Sequence, residues 1–83
     1  MPSSDWQLLR LRVAAEADPG VLARVIERFT NVNFVPRKVV AEWATTGLLH
    51  VEVSVAGMPE ATLDLITAKL GQVPSILNAY WCR

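Results

Sequence analysis

The run Leu9-Arg10-Leu11-Arg12-Val13-Ala14-Ala15-Glu16-Ala17-Asp18-Pro19-Gly20-Val21-Leu22-Ala23-Arg24-Val25-Ile26-Glu27-Arg28-Phe29 decides the fold. Its first part alternates. Leu9, Leu11, Val13 and Ala15 point one way, and Arg10, Arg12, Ala14 and Glu16 the other, as in a strand with one buried face. Its second part changes period. Leu22, Val25, Ile26 and Phe29 follow the i, i+3, i+4, i+7 spacing of a helix face, with Arg24, Glu27 and Arg28 left to water. Ala17-Asp18-Pro19-Gly20 joins the two parts as a helix start. Asp18 is the expected N-cap, Pro19 suits the first helical position, and Gly20 leaves the backbone bare.

Reading onward, the helix is expected to stop near Asn31, and Asn33 suits a left-handed backbone. Phe34 to Trp43 reads as a valine-rich second strand. Pro36 cannot donate to a ladder, which predicts an edge or a bulge early in it. Thr45-Thr46-Gly47 makes a turn into the clearest strand in the chain. There Leu49, Val51, Val53 and Val55 alternate with His50, Glu52 and Ser54. Ala56-Gly57-Met58-Pro59 breaks that strand, and Pro59 opens a second helix with Glu60 in its first turn. Leu63, Ile66, Thr67 and Leu70 share one side of this helix, and Gly71 is the expected C-terminal stop. Val73 to Trp81 forms the last strand.

The order β-α-β-β-α-β predicts an α+β fold, ferredoxin-like in plan: a four-stranded antiparallel sheet with both helices on one face. Right-handed crossovers place strands one and three at the centre and two and four at the edges. The helix-free face is expected to carry Arg10, Arg12, Lys38, Val40, Leu48, His50 and Glu52. Residues 1–6 read as a loose leader and 7–83 as one domain. Three tryptophans, Trp6, Trp43 and Trp81, are many for 83 residues. Satellite core packing or an interface accounts for them.

Composition narrows the function. Eight basic and eight acidic residues balance, so no basic surplus argues for nucleic acid. Near-neutral charge permits self-association. No apolar run is long enough to span a membrane, and Met1 to Trp6 lacks the marks of a signal peptide. The expected location is cytoplasmic. The lone Cys82 offers neither an internal disulfide nor a zinc site, no metal-ligand spacing appears, and the glycine-rich phosphate motifs are absent. No cofactor is called for. The lone His50 sits mid-strand without the partners of a catalytic set, so no catalytic residue is assigned. Strands one and three lack the paired aromatics of an RNA-recognition domain. The first loop lacks the cysteine pair of a metal carrier. What remains is the first loop and the N-terminus of its helix, where free N–H groups and a partial positive charge suit a carboxylate.

The residues from Ala17 to Phe29, then Asn33-Phe34 and the valine-rich strand, resemble an ACT domain, the small βαββαβ module that regulates amino-acid metabolism. The resemblance runs over residues 7 to 81. Within the family the likeness is greatest to the single-ACT regulatory small subunits of acetolactate synthase. Leu63-Asp64-Leu65-Ile66 through Lys69-Leu70 supports it. The resemblance implies a non-catalytic regulatory domain for branched-chain amino-acid biosynthesis, working as a dimer or larger assembly with a catalytic large subunit. It also implies side-by-side pairing into an extended sheet, with any small amino-acid ligand at the interface. Carried over residue by residue, the ligand loop is Asp18, Pro19, Gly20, Val21 and Leu22, and Asn33 stands where the family usually has glycine. Amino-acid-sensing members often have asparagine where this chain has Ala17, and some have histidine where it has Ala15. Neither alanine offers a side-chain hydrogen bond. Two alternatives stand beside this reading: a free-standing ACT domain that binds a small amino acid at a dimer interface, and a small hydrolase on the same fold. The hydrolase needs an arginine-bearing anion loop, and the first loop has no arginine.

Overall fold

The computed structural model describes residues 7–45 and 47–83. The element order is β1 (Leu8–Glu16), α1 (Val21–Asn31), β2 (Lys38–Thr45), β3 (Leu48–Ala56), α2 (Glu60–Leu70) and β4 (Ile76–Cys82). The four strands form one antiparallel sheet in the order β2-β3-β1-β4. The expected fold and strand order are both present. Leu11 lies opposite Val53 on β3 and Trp81 on β4, and Val13 lies opposite Val51 and Ala79.

Alternation on the central strands makes the core. Leu9, Leu11, Val13 and Ala15 of β1 and Val51, Val53 and Val55 of β3 turn to the helices and are buried. Val21, Val25 and Phe29 of α1 and Leu63, Ile66 and Leu70 of α2 meet them. Fully burying a side chain of this size is worth about 1.5–3 kcal/mol. The opposite face carries Arg10, Arg12, Lys38, Val40, His50 and Glu52, all exposed or half-buried, as the pattern predicts.

Several expectations need correcting or refining. Asp18 does not cap α1. Gly20 holds the N-cap position without a side-chain cap, and Pro19 lies in the turn before it. The buried face of α1 is therefore rotated: Val21 is buried, Leu22 packs at the margin of the core, and Ile26 is 38% exposed. Arg28, expected on the wet side, is half-buried, and its Nε finds no partner. β2 starts at Lys38 rather than Phe34, because Asn33 to Pro36 is spent crossing from α1 to the sheet edge. β2 is an edge strand, one of the two outcomes Pro36 predicts, and its register shift falls between Trp43 and Thr45. β4 starts at Ile76, since a turn built on Val73 O to Ile76 N occupies the residues before it. Gly71 ends α2 with right-handed backbone angles (φ −63°), so its freedom at positive φ is not used.

Other turn chemistry is as expected. Asn33 has φ 58°, Gly47 φ 77° and Gly57 φ 81°. Pro59 precedes α2, and Glu60 sits in its first turn. Met1 to Trp6 and Thr46 lie outside the described residues, and with them the expected leader, Trp6, and the middle of the β2–β3 turn.

Candidate functional site

The first loop lies at the end of the sheet where three connections meet. The Glu16 N–H donates to Ser75 O in the α2–β4 connection (2.8 Å), and the Ala17 N–H donates to Gly47 O in the β2–β3 turn (2.9 Å). The strand's exit is thus pinned on both sides. The chain then folds around Asp18. Its Oδ1 accepts from Gly20 N–H at 3.3 Å, and its carbonyl accepts from Val21 N–H at 3.0 Å. Asp18 acts as a turn residue whose side chain satisfies the backbone two positions on.

This changes what the helix start offers a ligand. Of the amides at the helix start, Gly20 and Val21 already donate to Asp18. Arg24 N–H donates to Gly20 O at 3.1 Å. Among the described residues, the Leu22 and Ala23 amides have no internal acceptor. The Asp18 carboxylate also supplies the negative charge that the helix dipole favours there. Asp18, Pro19 and Gly20 are exposed, Val21 is buried in the core, and Leu22 is half-buried. A Cβ on Gly20 would meet nothing within 4 Å. Ala15 is fully buried in the core and Ala17 is half-buried.

Asn33 is not beside this loop. It follows the far end of α1, and eleven helical residues span about 16 Å. Within one chain, Asn33 supports the other end of the helix and shares no small pocket with Asp18.

Two features outside the expected site residues are informative. The first is the flank of β2. The helices cover β1, β3 and β4, but no described side chain of β2 is buried. On its helix side Val39 is 37% and Trp43 71% exposed, and Val35 just before the strand is 87% exposed. The valine run and Trp43 were visible in the sequence. That no helix would cover them was not. The second feature is the helix-free sheet face, which holds two shallow recesses. One, of about 390 Å³, is walled by Arg12, Glu42, His50, Glu52 and Tyr80. The other, of about 410 Å³, is walled by Arg10, Arg37, Lys38, Glu52 and Ser54. Glu52 stands between Arg10 and Arg12, 3.8 Å from the Nε of each. The Arg12 guanidinium is held above its ordinary pKa, first by the neighbouring Tyr80 hydroxyl and then by the proximity of Cys82 and Glu52. It is a permanent cation.

Residues 3–81 match the profile of the ACT-like domain family. The chain belongs to that family. The ACT-like domain also superposes on solved structures. On the C-terminal domain of the MgtC protein from Mycobacterium tuberculosis the TM-score is 0.77 at 17% identity, covering 99% of this chain and 92% of that one. On the ACT domain of GTP pyrophosphokinase from Chlorobium tepidum it is 0.75 at 16% identity, covering 90% and 96%. An uncharacterized protein from Thermotoga maritima gives 0.70 at 14% identity, covering 92% and 94%. At these identities the likeness is one of fold. A search of curated proteins finds no significant match. The family match confirms the ACT resemblance.

Proposed function

We propose that this ACT-like domain is a non-catalytic regulatory module that works in pairs and acts on a catalytic partner. The bare flank of β2 carries the reading. An edge strand has unpaired N–H and C=O groups along its length. Here it also exposes Val35, Val39 and Trp43 on the side where a neighbour's helix would lie. A second copy joined edge to edge would extend the sheet and cover these side chains. Near-zero net charge adds no repulsion between copies.

The partner we favour is the large subunit of acetolactate synthase, with the domain as its regulatory small subunit in branched-chain amino-acid synthesis. The loop from Asp18 to Leu22 and the residues Leu63 to Leu70 support it. Regulation would follow from differential binding: the domain favours one conformation of the enzyme and shifts its population. Ala15 and Ala17 favour this over a free-standing amino-acid sensor. So does Asp18, which already satisfies two of the amides a ligand carboxylate would use.

Purification of the protein from its own cells tests the reading, with the expectation that a thiamine-dependent large subunit accompanies it. Calorimetry with the common amino acids separates the sensor. Micromolar binding of any one of them to the lone domain would reverse the preference.

A further inference from the structure

The helix-free sheet face is electrostatically divided. At one end Arg10, Arg37 and Lys38 converge on a recess of about 410 Å³ that holds one carboxylate, Glu52. Glu52 is already shared between Arg10 and Arg12. Among the described residues, Arg37 and Lys38 form no ion pair. The other end, around His50, carries Glu42 instead. Among the described residues, this end of the sheet therefore carries a surplus of positive charge in a chain whose charges sum to zero. The cations come from β1, from the approach to β2 and from β2 itself. They are held in register: Arg10 pairs with Ser54 across the ladder, Lys38 pairs with Ser54 from the other side, and the Arg37 N–H donates to Ser54 O at 2.8 Å. Arg10 and Lys38 stand on either side of β3, two strand spacings or about 10 Å apart, and each guanidinium or ammonium can donate to a carboxylate laid across the strands. Half-exposed apolar surface from Leu8 and Val40 borders the recess.

We propose that this end of the sheet is a docking surface for a carboxylate-rich segment of the partner protein, laid across Arg10, Arg37 and Lys38. Arginine clusters recognise acidic motifs in this way, and opposite charge raises the rate of encounter. The proposal deepens the partner reading above and rests on it. It uses the helix-free face, whereas pairing uses the β2 edge; the two meet at Lys38, and Arg10 on the central strand β1 tells them apart.

Titration of the labelled whole chain with a synthetic peptide of about ten Asp, Glu and Leu residues, followed by NMR, tests it. The expected result is shifts confined to the amides of Arg10, Arg37, Lys38 and Ser54, weakening at least threefold between low and roughly physiological salt as screening grows. R10E, on the central strand β1 and away from the β2 edge, should weaken binding at least about threefold, and R10Q by less, with the sedimentation mass unchanged in both. Three results would overturn the proposal. One is no shift at these amides with millimolar peptide. Another is equal binding of a peptide with Lys in place of the acids. The third is tighter binding of inorganic pyrophosphate at the same amides, which marks a small-anion site.

Discussion

The two edges of the sheet differ in how they end. At β4, α2 packs alongside and the strand is tied to it. Trp81 Nε1–H donates to Asp64 Oδ1 at 2.7 Å, and the Arg83 guanidinium pairs with Glu60 while lying 5.7 Å from the centre of the Trp81 ring. Glu60 and Asp64 are one helical turn apart, so a single face of α2 holds both ties. At β2 nothing comparable exists among the described residues, and the helix side of the strand faces water. One edge is closed by the chain's own residues, and the other is left for something else to close. An edge with exposed apolar residues is a liability unless it is covered. If copies pair as proposed, the asymmetry assigns the pairing to β2 and not β4.

The comparison can be broken most severely from the β4 side. Leu63 is fully buried and seats α2 on the sheet. Leu63→Ala should cost about 2–5 kcal/mol in urea unfolding. Amides of β4 should then exchange nearly as fast as those of β2, and unchanged protection at β4 would show that α2 does not close this edge. From the β2 side, the double change Ala41→Lys and Trp43→Lys places two charges on an exposed strand. Self-association measured by sedimentation should weaken at least tenfold, about 1.4 kcal/mol. Monomer stability should move by no more than about 0.5 kcal/mol, as for other surface changes. If the wild-type chain is a strict monomer at micromolar concentration, the assignment of β2 as the joining edge fails. The smallest effects belong to the ties themselves. Trp81→Phe keeps a ring but loses the bond to Asp64, at a cost of about 1 kcal/mol in thermal unfolding. Arg83→Ala removes an exposed pair and should change stability by about 0.5 kcal/mol or less.

Much of the fold was legible because local signals agreed. The alternation through Leu9 to Ala15 and Leu49 to Val55 specified both central strands and their buried faces. Asn33 announced its left-handed backbone, and the crossover rule then gave the strand order. The misreadings share a physical origin. Asp18 was read by its residue type as a cap, but its side chain had a nearer use in the turn at Gly20. That moved the helix start by two positions, and Val21 rather than Ile26 lies on the buried face. Periodicity states which residues share a side, and the neighbouring elements decide which side is covered. The bare flank of β2 is the clearest case: Val39 and Trp43 look like core residues until the two helices prove too narrow to reach them. The positive recess was hidden for a related reason. Arg10, Arg37 and Lys38 are separated in sequence by a helix, and only strand pairing brings them together.

The place of β1 in the sheet has a bearing on how the chain acquires its structure. The first strand made is the third in spatial order, flanked by β3 and by β4, the last made. Its fully buried Leu11 faces Val53 on one side and Trp81 on the other, 42 and 70 residues further along the chain. The ordering entropy of closing those distances falls due before the contacts that reward it exist. As the chain emerges from the ribosome, β2 and β3 can pair as a local hairpin while β1 has a neighbour on one flank only. The sheet closes last, along the seam between its first strand and its final one. A folding-rate measurement should find that seam limiting.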